Sequence, residues 1–419
     1  MAKLSPDDLV ILLVAISTML LLSRFASELG RKIGLPIVMG ELLVGIVLGP
    51  TVLGALSPAT YDTIFPFTTN THFAIALDGI FSLAVIMLLF VAGLEIQLSQ
   101  VIRQGRITVY AGFGSMVVPF ISGFAAAWLV PHWFDIERSE NFIFALFLGT
   151  AMSISALPVI ARILLDMKLF KTKVGMVIIS SAIFNDLVGW LFFSFILSIA
   201  GKSEGTTTAI GYTLAYIVAF SVFMLVIGRL LLNRILPWVQ TRLSWPGGVL
   251  SLSLGLCLLC AAFTESIHIH AILGAFIAGI AIGDSVHLRE QAREIMHQFV
   301  TNFFAPLFFV SIGLKVDFVQ YFDGVIVGVV LLIACIGKVL GASIGARLGG
   351  MNWHNAMAVG FGLNARGAME IILGSLAFQA GLITQPIFVA LVVMALVTSI
   401  TSAPMIRFFL RERSPASVR

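Results

Sequence analysis

The chain has 419 residues, of which 59% are hydrophobic and only 11% are charged, and its mean hydropathy is +1.05. Soluble domains contain about 45–50% apolar and about 25% charged residues, so this composition excludes a soluble globular protein and indicates a polytopic membrane protein. The net charge of +4 gives no reason to expect nucleic-acid binding, and the three cysteines lie in apolar runs. We therefore predict neither a disulfide framework nor a cofactor.

Apolar stretches separated by charged residues, glycines and prolines predict the membrane spans, since a helix needs roughly 20 apolar residues to cross a bilayer. The thirteen candidates, of which the second and ninth are short, are 8–23, 35–50, 74–94, 107–130, 142–164, 174–200, 208–232, 247–264, 270–284, 300–314, 322–345, 355–380 and 386–408. Residues 285–299 alternate apolar and charged positions with a helical period. They predict an amphipathic helix at the cytoplasmic surface, between the ninth and tenth spans.

The positions of lysine and arginine predict the orientation, because cytoplasmic loops carry most of the basic residues. Only four basic loop residues fall on the other side, namely Lys3, Arg138, Lys202 and Lys315. The N-terminus is therefore expected outside and the C-terminus in the cytoplasm. Thirteen spans can be divided into two sets of six helices joined by one linker helix, and the two sets then have opposite orientations. This is the inverted-repeat plan of many secondary transporters.

The fifth and twelfth spans contain residues that interrupt helices. The fifth reads GTAMSISALPVIARIL and brings Ser153, Ser155 and Pro158 to the middle of the membrane. The twelfth reads GFGLNARGAMEIIL, with glycines at matching depth. Paired interruptions in corresponding helices of two halves indicate the binding site of a transporter.

Ionisable residues in the middle of membrane spans are rare and usually functional. Asp186, preceded by Asn185, lies in the sixth span, and its carboxylate can bind a proton or a small cation. If both ligands compete for the same oxygens, the result is exchange. Lys338 lies in the eleventh span among glycines spaced by four residues, a pattern that allows close helix packing. We expect it to pair with Asp186, although a structural ion pair or a lysine reaching the membrane surface is also possible.

Three further charged residues lie within or near spans. Arg366 and Glu370 are four residues apart in the twelfth span, so we expect an internal ion pair that steadies the broken helix. Glu41 in the second span is interpreted as lining a cytoplasmic cavity. His287 and His297 on the amphipathic helix either sense the cytoplasmic pH or belong to a solvated helix face.

Five motifs in this order resemble the monovalent cation/proton antiporter superfamily over nearly the whole chain: LPIVMGELLVGIVLGP, MSISALPVI, FNDLVGW, GKVLG and GLNARGAME. The branch includes bacterial sodium/proton antiporters and potassium efflux antiporters. The resemblance implies an ion-binding core at about 107–200 and 322–408, with helices 5 and 12 crossing where they are broken. It implies a dimerisation scaffold at about 8–94 and 247–314, a linker at about 208–232, homodimers and an elevator-type motion.

The resemblance also implies roles for individual residues. Asp186 corresponds to the essential ion- and proton-binding aspartate, Asn185 to its partner and Ser155 to a polar residue near the ion. Lys338 corresponds to the charge partner found in electrogenic members, and Arg366 to the arginine of helix 12. The chain departs from those members because it has Asn-Asp where they have two aspartates. We expect electroneutral exchange, whereas a lysine that itself releases a proton would make exchange electrogenic.

These features predict an antiporter that exchanges sodium or lithium for protons, with sodium or potassium bound at Asp186, in a bacterial inner membrane. A potassium/proton antiporter is the close alternative, and a sodium-coupled symporter for an organic anion is the second. The chain lacks a TVGYG filter, which argues against a potassium channel, and it lacks HExxH or a nucleophile–base pair, which argues against an enzyme.

Overall fold

The computed structural model of this chain describes residues 5–32, 37–96, 105–134, 141–170, 172–200 and 207–411. Within that part every regular element is helical and no β-strand occurs, so the predicted all-α class is confirmed. In chain order the α-helices are α1 (Pro6–Lys32), α2 (Ile37–Leu48), α3 (Pro58–Ile64), α4 (Thr71–Leu94), α5 (Gly105–Leu129), α6 (Asn141–Ser153), α7 (Leu157–Asp166), α8 (Lys173–Ala200), α9 (Thr207–Phe223), α10 (Arg229–Arg242), α11 (Gly247–Ser266), α12 (Ala271–Gly283), α13 (Glu290–Phe299), α14 (Ala305–Lys315), α15 (Gly324–Leu348), α16 (Trp353–Leu363), α17 (Ala368–Gln379) and α18 (Gln385–Arg411).

Eleven helical segments of the described chain are long and apolar enough to cross a membrane. The helices α16 and α17 are bent by 45° relative to each other. Counted together as one broken span, they add a twelfth. At the predicted ninth span, α12 has only 13 residues, fewer than the roughly 20 that a bilayer needs. A multi-pass membrane protein is confirmed, whereas the count of thirteen and the inverted repeat stay predictions.

The amphipathic segment differs from its prediction at 285–299. The helix α13 does not end before the next span but continues through a π-helical turn at Val300–Phe304 into α14. Pro306 in the first turn of α14 lacks the N–H of a regular helix, which accounts for the wider turn before it. Ala292 and Met296 are the buried residues of α13. The segment is therefore the start of the tenth span rather than a separate helix.

The helix predicted as a linker at 208–232 is longer in the structure. After α9 the chain passes through a π-helical turn at Met224–Gly228 and continues as α10 to Arg242. An ion pair between Arg229 and Asp284, with 2.9 Å between Nη1 and Oδ2, ties α10 to the end of α12. Within the added length, Gln240 Nε2 donates to the His287 carbonyl oxygen at 2.7 Å, so this part also anchors the helix to its neighbours.

The first of two compact units comprises the described residues of 1–96 and 214–321. Close backbone approach holds its helices together, since a Cβ added to Gly45 of α2 would lie 2.4 Å from the Val310 carbonyl oxygen of α14. Its apolar core is formed by Leu12, Ala15, Met19, Val44, Leu48, Phe65, Phe73, Leu77, Phe81, Leu307, Val310 and Leu314.

The second compact unit comprises the described residues of 97–213 and 322–419, which include α5–α8 and α15–α18. The glycines predicted as a packing face of α15 contact α5. A Cβ on Gly341 would lie 2.2 Å from the Gly114 carbonyl oxygen. This close contact leaves Lys338, on the adjacent turn of α15, completely buried.

Candidate functional site

Two helical spans of the second unit are interrupted at the positions that the sequence predicts. Residues 154–156 separate α6 from α7, and Pro158 stands in the first turn of α7. Residues 364–367 separate α16 from α17. Proline suits the start of a helix because the N–H that it lacks would have no helical partner there. Both predicted breaks are therefore confirmed.

The two interruptions contact each other. The Ala156 backbone N–H donates to the Ala365 carbonyl oxygen at 3.1 Å, and the Ser155 hydroxyl donates to the Leu363 carbonyl oxygen at 2.9 Å. Ser155 and Ala365 are fully buried. Non-helical backbone at membrane depth needs hydrogen-bond partners within the protein. Each break supplies such partners for the other, so the two broken spans cross where they are unwound.

Two buried basic side chains cap the broken end of α6. Arg366 donates through Nη1 to the Ala151 carbonyl oxygen at 2.7 Å and through Nη2 to the Met152 carbonyl oxygen at 2.5 Å. Lys338 Nζ donates to the Ser153 carbonyl oxygen. The last carbonyls of a helix lack helical partners and carry partial negative charge. Both cations therefore stabilise the half-helix end.

Arg366 also forms the ion pair that its spacing predicts. Its Nη1 lies 2.9 Å from Oε2 of Glu370, and both side chains are buried, at 0% and 1% exposure. The Ser399 hydroxyl of α18 donates to the Arg366 carbonyl oxygen. These contacts fix the start of α17 and compensate one buried positive charge with one buried negative charge.

Asp186 and Asn185 lie in α8, which is not interrupted, and they are 3% and 0% exposed. The Asn185 amide matches its surroundings when its oxygen faces Lys338 Nζ at 3.3 Å and the Ser115 hydroxyl at 2.8 Å. Its nitrogen then donates to two backbone carbonyls at 3.1 and 3.2 Å. The same amide group lies 3.4 Å from the Ser155 hydroxyl. In this orientation Asn185 connects α8 to Lys338 and, through Ser115 and Gly112, to α5, and it lies beside the break.

The Asp186 carboxylate interacts electrostatically with Lys338. The hydrogen bond of Lys338 nevertheless goes to the Ser153 carbonyl oxygen, so Lys338 acts on the helix end and on Asp186 together. With Arg366 and Glu370 included, the cluster combines two basic and two acidic side chains, all buried. If all four side chains are ionised, the cluster carries no net charge.

Ser153 and Glu41 are two further predicted site residues. The Ser153 hydroxyl donates to the Met116 carbonyl oxygen at 2.9 Å, so the backbone carbonyl of Ser153, rather than its side chain, faces Lys338. Glu41 lies in α2, which belongs to the first unit.

Ser115 and Ser399 are the contributors that the sequence analysis missed. Ser115 is an isolated polar residue in the apolar fourth span, and that isolation was a usable signal. Ser399 lies in TSITSAP among several hydroxyl residues, so its sequence context does not distinguish it. Its role follows only from the packing of α18 against the break.

Comparisons with known proteins identify the family and the fold. The profile of the family described as "Sodium/hydrogen exchanger, transmembrane" matches residues 15–412. The chain is 30% identical over 406 residues to the Na(+)/H(+) antiporter NhaS4 of Synechocystis, covering 96% of this chain and 97% of that protein. It is 30% identical over 386 residues to K(+)/H(+) antiporter 1 of Saccharomyces cerevisiae, covering 88% of this chain but only 43% of the yeast protein. The solved structure of the sodium proton antiporter MjNhaP1 from Methanocaldococcus jannaschii has a similar fold, with a TM-score of 0.62, 16% identity and coverage of 95% and 96%.

Proposed function

Because the chain belongs to the sodium/hydrogen exchanger family of membrane transporters, whose relatives include cation/proton antiporters, we propose that it exchanges sodium or lithium for protons at Asp186. The observation that carries this proposal is the burial of the Asn185–Asp186 pair beside two crossing helix breaks. A carboxylate at membrane depth is energetically costly and marks an ion or proton path.

The oxygen atoms around the crossing are the type of ligand that sodium prefers. Hard cations bind carboxylate, hydroxyl and backbone carbonyl oxygens. Asp186, the hydroxyl of Ser155 and carbonyl oxygens of the two breaks would provide them. A proton on Asp186 occupies the same carboxylate and releases the cation. Asn185 holds the ammonium group of Lys338 beside this site, whereas Arg366 and Glu370 maintain the shape of the breaks.

We infer that exchange is electroneutral from the charges of the cluster. If Lys338 and Arg366 stay positive and Glu370 stays negative, the cluster with ionised Asp186 carries no net charge. Binding one proton adds one positive charge, and binding one sodium ion adds the same charge. The two loaded forms are therefore electrically equivalent, and an exchange of one ion for one proton moves no net charge across the membrane.

We further propose that the unit containing Asp186 moves as one body in an elevator-type cycle, and that the other unit forms the interface of a homodimer. The side chains of the Asp186 cluster all belong to one unit, and the hydrogen bonds described for them are internal to it. A unit whose polar groups bond to one another can move as a rigid body without breaking those bonds.

Potassium/proton exchange is the second candidate, because the yeast relative is named for potassium. Sodium and potassium both bind oxygen ligands and differ in size and in the energy of dehydration. The organic-anion symporter is less favoured, because Lys338 and Arg366 already donate to helix carbonyls. We propose a bacterial inner membrane, with the N-terminus outside and the C-terminus in the cytoplasm, from the distribution of basic residues.

The test follows the dissipation of a pH gradient in proteoliposomes after sodium, lithium or potassium is added. We expect sodium and lithium to dissipate the gradient, and Asp186→Asn to abolish the response while the protein remains folded. The matched control is Asp78→Asn, because Asp78 is 61% exposed and pairs with Lys315 at 2.8 Å. This control should exchange normally.

Each result of this experiment selects one interpretation. A response to potassium alone would mean that the same site binds potassium rather than sodium. Exchange retained by Asp186→Asn would refute the role of Asp186. Sodium flux driven by a membrane potential alone, without a pH gradient, would refute electroneutral exchange.

A further inference from the structure

The first unit contains a buried carboxyl group at membrane depth. Glu41 lies in α2 and is 3% exposed. Its Oε2 makes no hydrogen bond within the described structure. A buried carboxylate without a hydrogen bond or a counter-ion is strongly unfavourable, and binding a proton removes its charge.

The residue before Glu41 packs closely on the neighbouring helix α1. The Ser27 hydroxyl of α1 donates to the Ile37 carbonyl oxygen at 3.2 Å, at the start of α2. A Cβ added to Gly40 of α2 would lie 2.8 Å from the Cα atom of Ser27, so the two helices are in backbone contact one residue before Glu41. Because Gly45 of α2 makes a similar close contact with Val310 of α14, Glu41 lies between two close helix contacts and is buried.

The helices packed on α2 provide no buried basic partner for Glu41 in the part of the chain that is described. On α1, Arg24 and Arg31 bind Glu28 at 2.9 and 2.7 Å, and the arginine side chains are 64% and 63% exposed. The remaining charged residues of α1 lie at its two ends, namely Asp7, Asp8 and Lys32. On α14 the charged residue is Lys315 at the end of the helix, and it pairs with Asp78.

We propose that Glu41 is a proton-binding site separate from Asp186, which carries a proton in the described conformation and releases and rebinds it during the exchange cycle. A protonated carboxyl is uncharged, so it can stay buried where a carboxylate would need a counter-ion or hydrogen-bond donors. The coupling to the cycle rests on the proposed antiport, whereas the protonation itself does not.

Infrared difference spectroscopy of the full-length protein in lipid bilayers tests the protonation directly. Spectra at acidic and alkaline pH report the C=O absorption of protonated carboxyl groups. We expect Glu41→Gln, which has the shape of the protonated side chain, to lose one component of this absorption. Glu41→Asp should retain a shifted component. Glu28→Gln removes a half-exposed, ion-paired carboxylate of α1 and should retain the wild-type component. An unchanged absorption in Glu41→Gln would overturn the proposal.

Exchange measured across a range of pH in proteoliposomes tests the coupling. We expect Glu41→Gln and Glu41→Asp to shift the pH of half-maximal exchange, and Glu28→Gln to keep the wild-type profile. A wild-type profile in Glu41→Gln would overturn the release and rebinding of the proton. If the wild-type protein responds to no cation, the proposed antiport fails, and the infrared result still decides whether Glu41 binds a proton.

Discussion

Replacing Gly341 with alanine tests whether the close contact of α15 with α5 stabilises the second unit. The added Cβ would lie 2.2 Å from the Gly114 carbonyl oxygen and 2.8 Å from Val118 Cβ. Real Cβ atoms essentially never approach other atoms within 3.0 Å. Because the nearest atom belongs to the backbone, a rotamer change cannot relieve the clash, and the two helices have to separate.

The expected loss of stability follows from two opposing terms. Adding a group to a well-packed interior costs about 1–3 kcal/mol, and the rigid backbone contact favours the upper end of this range. Alanine stabilises a helix interior by about 1 kcal/mol relative to glycine. The expected net loss is therefore about 2 kcal/mol. Gly328 on the same helix is the matched control, because a Cβ there meets no atom within 4 Å.

The assay compares the unfolding temperatures of Gly341→Ala, Gly328→Ala and the wild type in one detergent or lipid mixture. Gly341→Ala should unfold below the wild type, and Gly328→Ala should unfold at or above it. Lys338 lies one turn from Gly341, so Gly341→Ala should also slow cation exchange. Equal unfolding temperatures for the two variants would refute the close packing of α5 and α15.

Three further substitutions test single contacts. Glu370→Gln leaves Arg366 buried without its counter-ion and should lower the free energy of unfolding by about 3–5 kcal/mol in denaturant titrations; an unchanged midpoint would contradict the buried ion pair. Ser155→Ala should raise the sodium concentration for half-maximal exchange, and an unchanged value would exclude its hydroxyl as a ligand. Burial lowers the pKa of His270, whose Nδ1 accepts a hydrogen bond from the Ile272 N–H at 3.5 Å. The unfolded chain then binds more protons, so stability should fall as the pH drops below about 6.5. His270→Asn keeps a capping acceptor and should flatten this dependence in unfolding measured at several pH values, whereas a wild-type slope would contradict it.

The sequence located the interruptions of the membrane spans because single residues cause them. Pro158 cannot continue a helix, and the glycines around residue 364 weaken one. Asp186 and Lys338 were equally visible, since charged residues stand out in apolar runs. The hydrogen bond of Lys338 to the Ser153 carbonyl was not predictable in the same way. It depends on which half-helix end comes to lie beside α15, and a one-dimensional pattern does not contain that information.

The boundaries of the tenth span show the same limit. The change from charged to apolar residues near residue 300 indicated a helix end, yet the backbone continues through the π-helical turn at Val300–Phe304. Composition reports the surroundings of a segment, whereas a helix ends where its hydrogen bonds end. The amphipathic part and the apolar part of this helix have different surroundings but one continuous backbone.

The caps on the broken end of α6 make the order of protein synthesis relevant to this site. Ala151, Met152 and Ser153 enter the membrane early, and their side-chain partners follow 215, 214 and 185 residues later. Until α15 and α16 are inserted, these three carbonyls lack their final partners, and Asp186 lacks the cations that balance its charge. Asp186 is therefore synthesised before Lys338 and Arg366. A chain whose synthesis stops early contains Asp186 without these two cations.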